Sequence, residues 1–194
     1  MADPVEVLDF WLGDIGPDGW YAGGGAIDAE CRERFLELWQ AAADGGLEHW
    51  IDGTVGTLAF LILTDQLPRN MHRDTAEAFS TDPLALAAAK RALAEGWDLG
   101  APEPERQFFY MPFEHSENLD DQDAAVALMG ERLPEDGANM LIHAEAHRDI
   151  IRRFGRFPSR NAALGRVSTD EEAVFLTEGG YGKVVEALKA QAMR

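Results

Sequence analysis

The stretch TVGTLAFLILTDQLPRN (54–70) decides the fold. Thr54 caps a helix that runs through Leu58, Leu61, Ile62 and Gln66, and almost every position around its circumference is apolar. A helix that is apolar all round has to be buried, so this one is central and other elements pack about it. Pro68 ends it, because proline lacks an N–H and clashes with the preceding turn. Asp65 then sits on the last turn, where the helix dipole disfavours a carboxylate, and it calls for a cation.

Outward from this helix nearly every signal is helical. Asp3 as cap, Pro4 at N1 and Glu6 three residues past the cap open a helix carrying Val5, Leu8 and Trp11-Leu12 that stops near Gly13. Residues 16–25 form a loop in which five of ten are glycine. Ile27, Cys31, Phe35, Leu38, Trp39 and Ala42 then recur with helical spacing up to Asp44-Gly45-Gly46. Residues 47–51 make one turn, and Asp74 caps a short piece reaching Phe79. Asp82-Pro83 opens an alanine-rich helix closed by Gly96, and residues 102–112 are aromatic and irregular. Ser116 caps a helix carrying Leu119, Val126 and Met129 that ends at Pro134. A long helix covers about Gly137 to Phe154, Ser168-Thr169-Asp170-Glu171 reads as a capping box, and a last helix reaches about Ala192. With no alternating strand, the prediction is an all-α fold of eight to nine helices, one domain or a tight two-lobed one. The 34-residue tetratricopeptide consensus is absent.

Composition narrows the function. The 194 residues are 46% hydrophobic, enough for a proper core, and no apolar run approaches a membrane span. The N-terminus lacks a basic region followed by an apolar stretch, so no secretory signal is expected. Cys31 is the single cysteine, which fits a reducing cytoplasm and a buried, inert thiol. A net charge of −18, from 17 basic and 35 acidic residues, argues against nucleic acid and anionic membranes as partners. The bases cluster: Arg148, Arg152, Arg153, Arg156, Arg160 and Arg166 put six of the 17 in 19 residues, beside one acid, Asp149. Guanidinium binds carboxylate or phosphate in a two-point fork.

Leu67-Pro68-Arg69-Asn70 is echoed by Phe157-Pro158-Ser159-Arg160-Asn161. A helix stop needs Pro or Gly but not Arg and Asn twice, so the two corners suggest helix ends that bring Arg69, Asn70, Arg156, Arg160, Asn161 and Arg166 to an anion-binding pocket. Arg156 or Arg160 is the expected cation for Asp65. The bland alternative is an ion-pair network that locks helices, with the asparagines fixing turns. His143 and His147 share a helix face and have chelating spacing, but His-Ala-Glu-Ala-His is not the metalloprotease helix and no third ligand is evident; no metal and no cofactor are assigned. His115 follows the aromatic segment just outside a helix start, and Glu117 falls in that helix's first turn. The acid/base candidates are therefore His115 and His147, with Asp65 or Glu117 orienting them. Phosphate-loop and nucleophile-elbow patterns are both missing.

Five motifs resemble, in order, the bacterial domain-of-unknown-function family number 924. They are Phe10-Trp11-Leu12-Gly13, the segments 63–70 and 110–117, the segment 154–161, and 164–172, so the likeness runs from the first helix to about Leu176. The resemblance implies an all-helical, tetratricopeptide-like fold and no established activity. The family pattern often carries His where Ser159 stands here, and His147 fits that pattern better than His143.

Three functions follow. The first is a module binding a small anion or an acidic peptide terminus in an Arg/Asn-lined pocket. The second is a hydrolase or lyase acting on a small anionic substrate with His as general acid/base. The third is a structural or interaction protein without a small ligand.

Overall fold

Asp3 opens the first helix as its sequence predicts, its carboxylate accepting the Val5 N–H at 2.9 Å. The computed structural model describes residues 3–135 and 137–192, is 76% helical and has no strand among the described residues, so the all-α reading stands. The chain divides into two compact units, Met1–Pro112 and Phe113–Arg194. No helix among the described residues is long and apolar enough to cross a membrane.

In the first unit α1 (Pro4–Leu8) continues as a π-helical stretch, Asp9–Ile15, that buries Phe10 and Trp11. The next helix, α2 (Gly25–Ala43), buries Cys31, Phe35, Trp39 and Ala42, four of the six positions its periodicity marked, while Ile27 and Leu38 are half-buried. Phe10 and Phe35 meet at 5.0 Å between ring centroids. The central helix begins as α3 (Thr54–Leu61), which packs against α1 and against α5 (Asp82–Glu95). Gly53 rather than Thr54 is its cap; the Thr54 hydroxyl donates instead to the Trp97 carbonyl at 2.7 Å. Gly96 closes α5 in the left-handed conformation, φ 72°.

Pro68 does not end the central helix. Residues Ile62–Gln66 form a π-helical turn, and the chain goes on as α4 (Leu67–Met71), which packs on α2. The Leu67 N–H reaches back to the Ile62 carbonyl, so the widened turn absorbs one residue ahead of the proline. Pro68 then lies in the first turn of α4, where no amide donor is required.

In the second unit α6 (Leu119–Arg132) packs along α7 (Gly137–Phe154), and α9 (Gly180–Ala192) also packs on α7. Asn118, in extended conformation, caps α6 by accepting the Asp120 N–H; Ser116, the expected cap, donates to the Asp121 carboxylate at 2.8 Å. The capping box of α8 (Asp170–Thr177) is Thr169 with Glu172, one residue later than predicted. Ile150, Ile151, Phe157 and Phe175 form the unit's apolar core, with Phe154, Tyr181 and Val184 packed against it.

Candidate functional site

The echoing corners fall in different units and differ in local structure: the first is helical, whereas Phe157 is extended and Pro158–Arg160 make a 3-10 turn. Asp65, 1% exposed, has Arg69, one helical turn on, within 3.5 Å. Arg69 also reaches Asp82 at 3.1 Å. The Gln66 amide donates to Asp65. Asn70 donates to Asp28 at 2.8 Å, and Arg73 engages the same carboxylate through Nε and a terminal nitrogen. The Arg73 hydrogen bonds dominate over burial and hold the Asp28 carboxyl down at about 2. These side chains brace α2, α4 and the start of α5.

The second corner begins where α7 stops. Gly155, φ 68°, turns the chain, its N–H donating to the Ile151 carbonyl at 2.8 Å. Only a residue without a Cβ adopts that conformation freely. Arg156 forks onto Glu172 at 2.6 and 2.7 Å, and Asn161 donates to the same carboxylate and to the Ser168 hydroxyl. Glu172 also accepts the Thr169 N–H of the capping box. Its Arg156 and Thr169 hydrogen bonds outweigh burial and hold its carboxyl down at about 2. This tie sets the cap at Thr169. Arg166 grips Glu117 with two nitrogens, at 2.7 and 3.0 Å. Between them they clamp the Phe157 backbone, Glu117 accepting its N–H at 2.8 Å and Arg166 donating to its carbonyl at 3.1 Å. Thus Arg156, Asn161, Arg166 and Glu117 shape the corner.

What the corner shapes is a pocket of about 300 Å³ lined by His147, Ile150, Phe157, Ser159, Arg160 and Tyr181. Three of these come from the 3-10 corner, two from one face of α7, and Tyr181 from the first turn of α9. The Arg160 guanidinium lies 4.6 Å from the Phe157 ring centroid and donates to the His115 carbonyl at 3.0 Å, which fixes the plane of the fork. His147 is packed on three sides: its ring centroid is 4.7 Å from that of Tyr181, 5.4 Å from Phe157 and 6.2 Å from His115.

Behind His147 stands a residue the sequence reading passed over, Glu114. It is buried, and its Oε1 lies 2.5 Å from His147 Nδ1. Gln122, buried in α6, holds the segment in place by donating to the Glu114 and Ser116 carbonyls at 2.6 and 2.7 Å. Burial alone would raise the Glu114 carboxyl, but the charge and hydrogen bond of His147, aided by His115 and His143, leave it below its ordinary range. Nδ1 also lies 2.9 Å from the His143 carbonyl. Two acceptors at Nδ1 require it to carry the proton, so in the neutral ring Nε2 holds the lone pair. The Tyr181 hydroxyl meets His143 Nδ1, and burial pushes the His143 pKa down despite the opposing charge of Glu114.

Of the acid/base candidates, His147 faces the pocket with a carboxylate behind it. His115 supplies a ring edge and a carbonyl, Glu117 belongs to the clamp, and Asp65 pairs with Arg69 in the first unit. Glu114 and Tyr181 were the missed members. The sequence signals for Glu114 were an acid amid aromatics, Phe113-Glu114-His115, and its place in the motif 110–117. Among the described residues no group of three or more His, Cys, Asp and Glu side chains is arranged to hold a metal ion. Cys31 is buried, which pushes its thiol up to about 12 and makes it a poor nucleophile.

A family model described as a bacterial protein of unknown function (DUF924) matches residues 7–180. A solved structure of a protein of unknown function from Agrobacterium tumefaciens is 42% identical, with a TM-score of 0.84 over 91% of this chain and 97% of that one. Among curated proteins none matches this chain.

Proposed function

The chain belongs to the bacterial family of unknown function DUF924, whose description assigns no chemistry, and we propose that it is an acid/base enzyme, a hydrolase or lyase, acting on a small anionic substrate in the second-unit pocket. The observation that carries this reading is the Glu114–His147 pair, 2.5 Å apart, with His147 lining a pocket that Arg160 also lines. Arg160 holds the substrate's anionic group. His147 Nε2 takes a proton from a water or from the substrate, the imidazolium so formed is stabilised by Glu114, and the same proton is returned to the leaving group. A structural pair has no need to place its histidine in a pocket wall beside an arginine.

The test is a turnover screen of small anionic esters, amides and hydroxy acids with the wild type and His147→Ala. The expected result is an activity that falls about 10²–10⁴-fold in the variant. Activity indifferent to His147, or none on any substrate, overturns the enzyme reading in favour of a pure anion-binding module, which the same Arg160 pocket would serve. The helical pairs are read as a tetratricopeptide-like scaffold for this site. The free, buried Cys31 supports a reducing, cytoplasmic setting, and the net charge of −18 favours a small partner over nucleic acid or an anionic membrane.

A further inference from the structure

We infer that the first unit holds a binding site of its own, for an apolar amino acid in its zwitterionic form. The site is a pocket of about 380 Å³ between the end of α2, the turn that follows it and α5. It exists because the facing positions are small. Ala42 and Gly45 at the end of α2, and Ala87 and Ala88 on α5, carry nothing beyond Cβ, so none of them reaches across the gap. Phe60, 3% exposed, and Ile51 give the pocket an apolar lining. Water held against such a lining is released when an alkyl or aryl group covers it.

The pocket carries charge of both signs. Arg91 and Glu48 line it, and among the described residues neither side chain makes a hydrogen bond or an ion pair, with the other or with any third group. The Arg91 guanidinium lies over the Trp97 ring, 5.3 Å from its centroid, which steadies the group by one face and leaves its N–H edge for an acceptor. The Glu48 carboxylate lies beside the end of α2: a Cβ built on Gly45 would come to 3.8 Å from its Oε1. The C-terminal end of a helix is negative, so the carboxylate and the helix end both favour a cation there, and Arg91 favours an anion. A monoanion would meet Glu48, a monocation would meet Arg91, and an uncharged apolar molecule would displace water from both charges without replacing it. A zwitterion with an apolar side chain answers all three features. Its carboxylate takes the Arg91 fork, its ammonium takes Glu48, and its side chain covers Phe60 and Ile51. The site does not depend on the acid/base reading, because all of these residues belong to the first unit.

The experiment is a calorimetric binding series on the full chain at one ionic strength. Its probes are L-leucine, L-phenylalanine, glycine, 4-methylpentanoate and 3-methylbutylamine; the last two are leucine without its ammonium and leucine without its carboxylate. Leucine or phenylalanine should bind at least tenfold more tightly than each of the other three. Arg91→Gln and Glu48→Gln, both at exposed positions, should each weaken the favoured amino acid at least tenfold. Arg91→Gln should bind 3-methylbutylamine no more weakly than the wild type does, and Glu48→Gln should do the same for 4-methylpentanoate. Ala87→Leu, which fills the gap from an exposed position on α5, should weaken leucine and phenylalanine alike. Neither amino acid bound by the wild type, a stripped analogue or glycine matching them, or amino-acid binding unchanged in either charge variant overturns the inference. The wild-type ranking decides the ligand class even if a variant folds poorly. Failure of the acid/base reading shows separately, as unchanged turnover in His147→Ala, and does not alter the ranking of these probes.

Discussion

The Glu114 carboxylate lies 2.5 Å from His147 Nδ1, and the His143 carbonyl, one turn earlier on the same helix, lies 2.9 Å from the same nitrogen. Two oxygen acceptors thus share one ring proton. They determine which imidazole nitrogen can act as a base, and neither belongs to a residue singled out for that role by helical spacing.

Glu114→Gln keeps the side chain's shape and removes its charge. In the wild type the His147 Nδ1 proton should appear as a downfield, exchange-protected signal in ¹H–¹⁵N spectra of the imidazole. In Glu114→Gln it should move upfield and exchange faster, and any turnover should fall by about 10²-fold or more, because the imidazolium loses its counter-charge. An unmoved signal would mean that the helix carbonyl alone holds the ring.

Arg69 and Arg160 occupy matching places in the two echoed motifs and should respond in opposite ways. Arg69 serves Asp65, whose side chain is 1% exposed. Arg69→Ala strips the guanidinium from a buried carboxylate and should cost about 3 kcal/mol in urea unfolding. Arg160→Met should weaken any anion binding in the second-unit pocket at least tenfold. A small effect on unfolding at Arg69, or anion binding untouched in Arg160→Met, would reverse these assignments.

Acid should unfold the protein in two stages. Glu172 and Asp28, both held at about 2, have pKa values near 4 when unfolded. Below about 4.5 the unfolded chain therefore binds the more protons, and the stability these groups contribute above that pH is lost as pH falls toward about 2. His143, with its pKa depressed in the fold, acts with the same sign but earlier. Its contribution is full above about 6.5 and declines as the unfolded histidine protonates. Far-UV circular dichroism across an acid titration should show a shallow loss of stability and then a steep one. Arg156→Ala should shift the steep phase to higher pH.

Two helix glycines separate packing from propensity. A Cβ at Gly56, on α3, would meet the Trp50 carbonyl oxygen at 2.2 Å, so Gly56→Ala should destabilise by about 1–3 kcal/mol. At Gly130, on α6, the nearest atom is Leu141 Cδ1 at 3.7 Å, an ordinary contact. Gly130→Ala should stabilise by about 0.5–1 kcal/mol. Chemical denaturation of both variants checks the pair.

The helices were largely legible because caps and periodicity are local. The Asp3 cap, the buried face of α2, the Gly96 stop and the span of α7 all follow from residues within a few positions of one another. The misreadings share one cause. Pro68 as a terminator and Ser116 as a cap each assumed the ordinary outcome for a residue type. In each the actual outcome was one bond pattern removed. The site was legible in part: His147 and Arg160 stood out by type and spacing. Glu114 could not, because its partner is 33 residues later in the sequence, and a buried carboxylate looks like any other until the fold brings a histidine to it.

The π-helical turn at Ile62–Gln66 separates the winding of the central helix from its residue count. A residue in an α-helix advances the azimuth by about 100°, and this turn spends one residue without that advance. Deleting a single residue from the regular turns of α3 ahead of it would swing everything downstream around the axis by about 100°, carrying Arg69 away from Asp82 and Asn70 away from Asp28. Insertions and deletions in α3 should therefore be far rarer among related chains than in the glycine-rich stretch of residues 20–24, between the helical turn Gly16–Gly19 and α2. The spacing from Thr54 to Asn70 would then be a better ruler for aligning distant relatives than any single side chain within it.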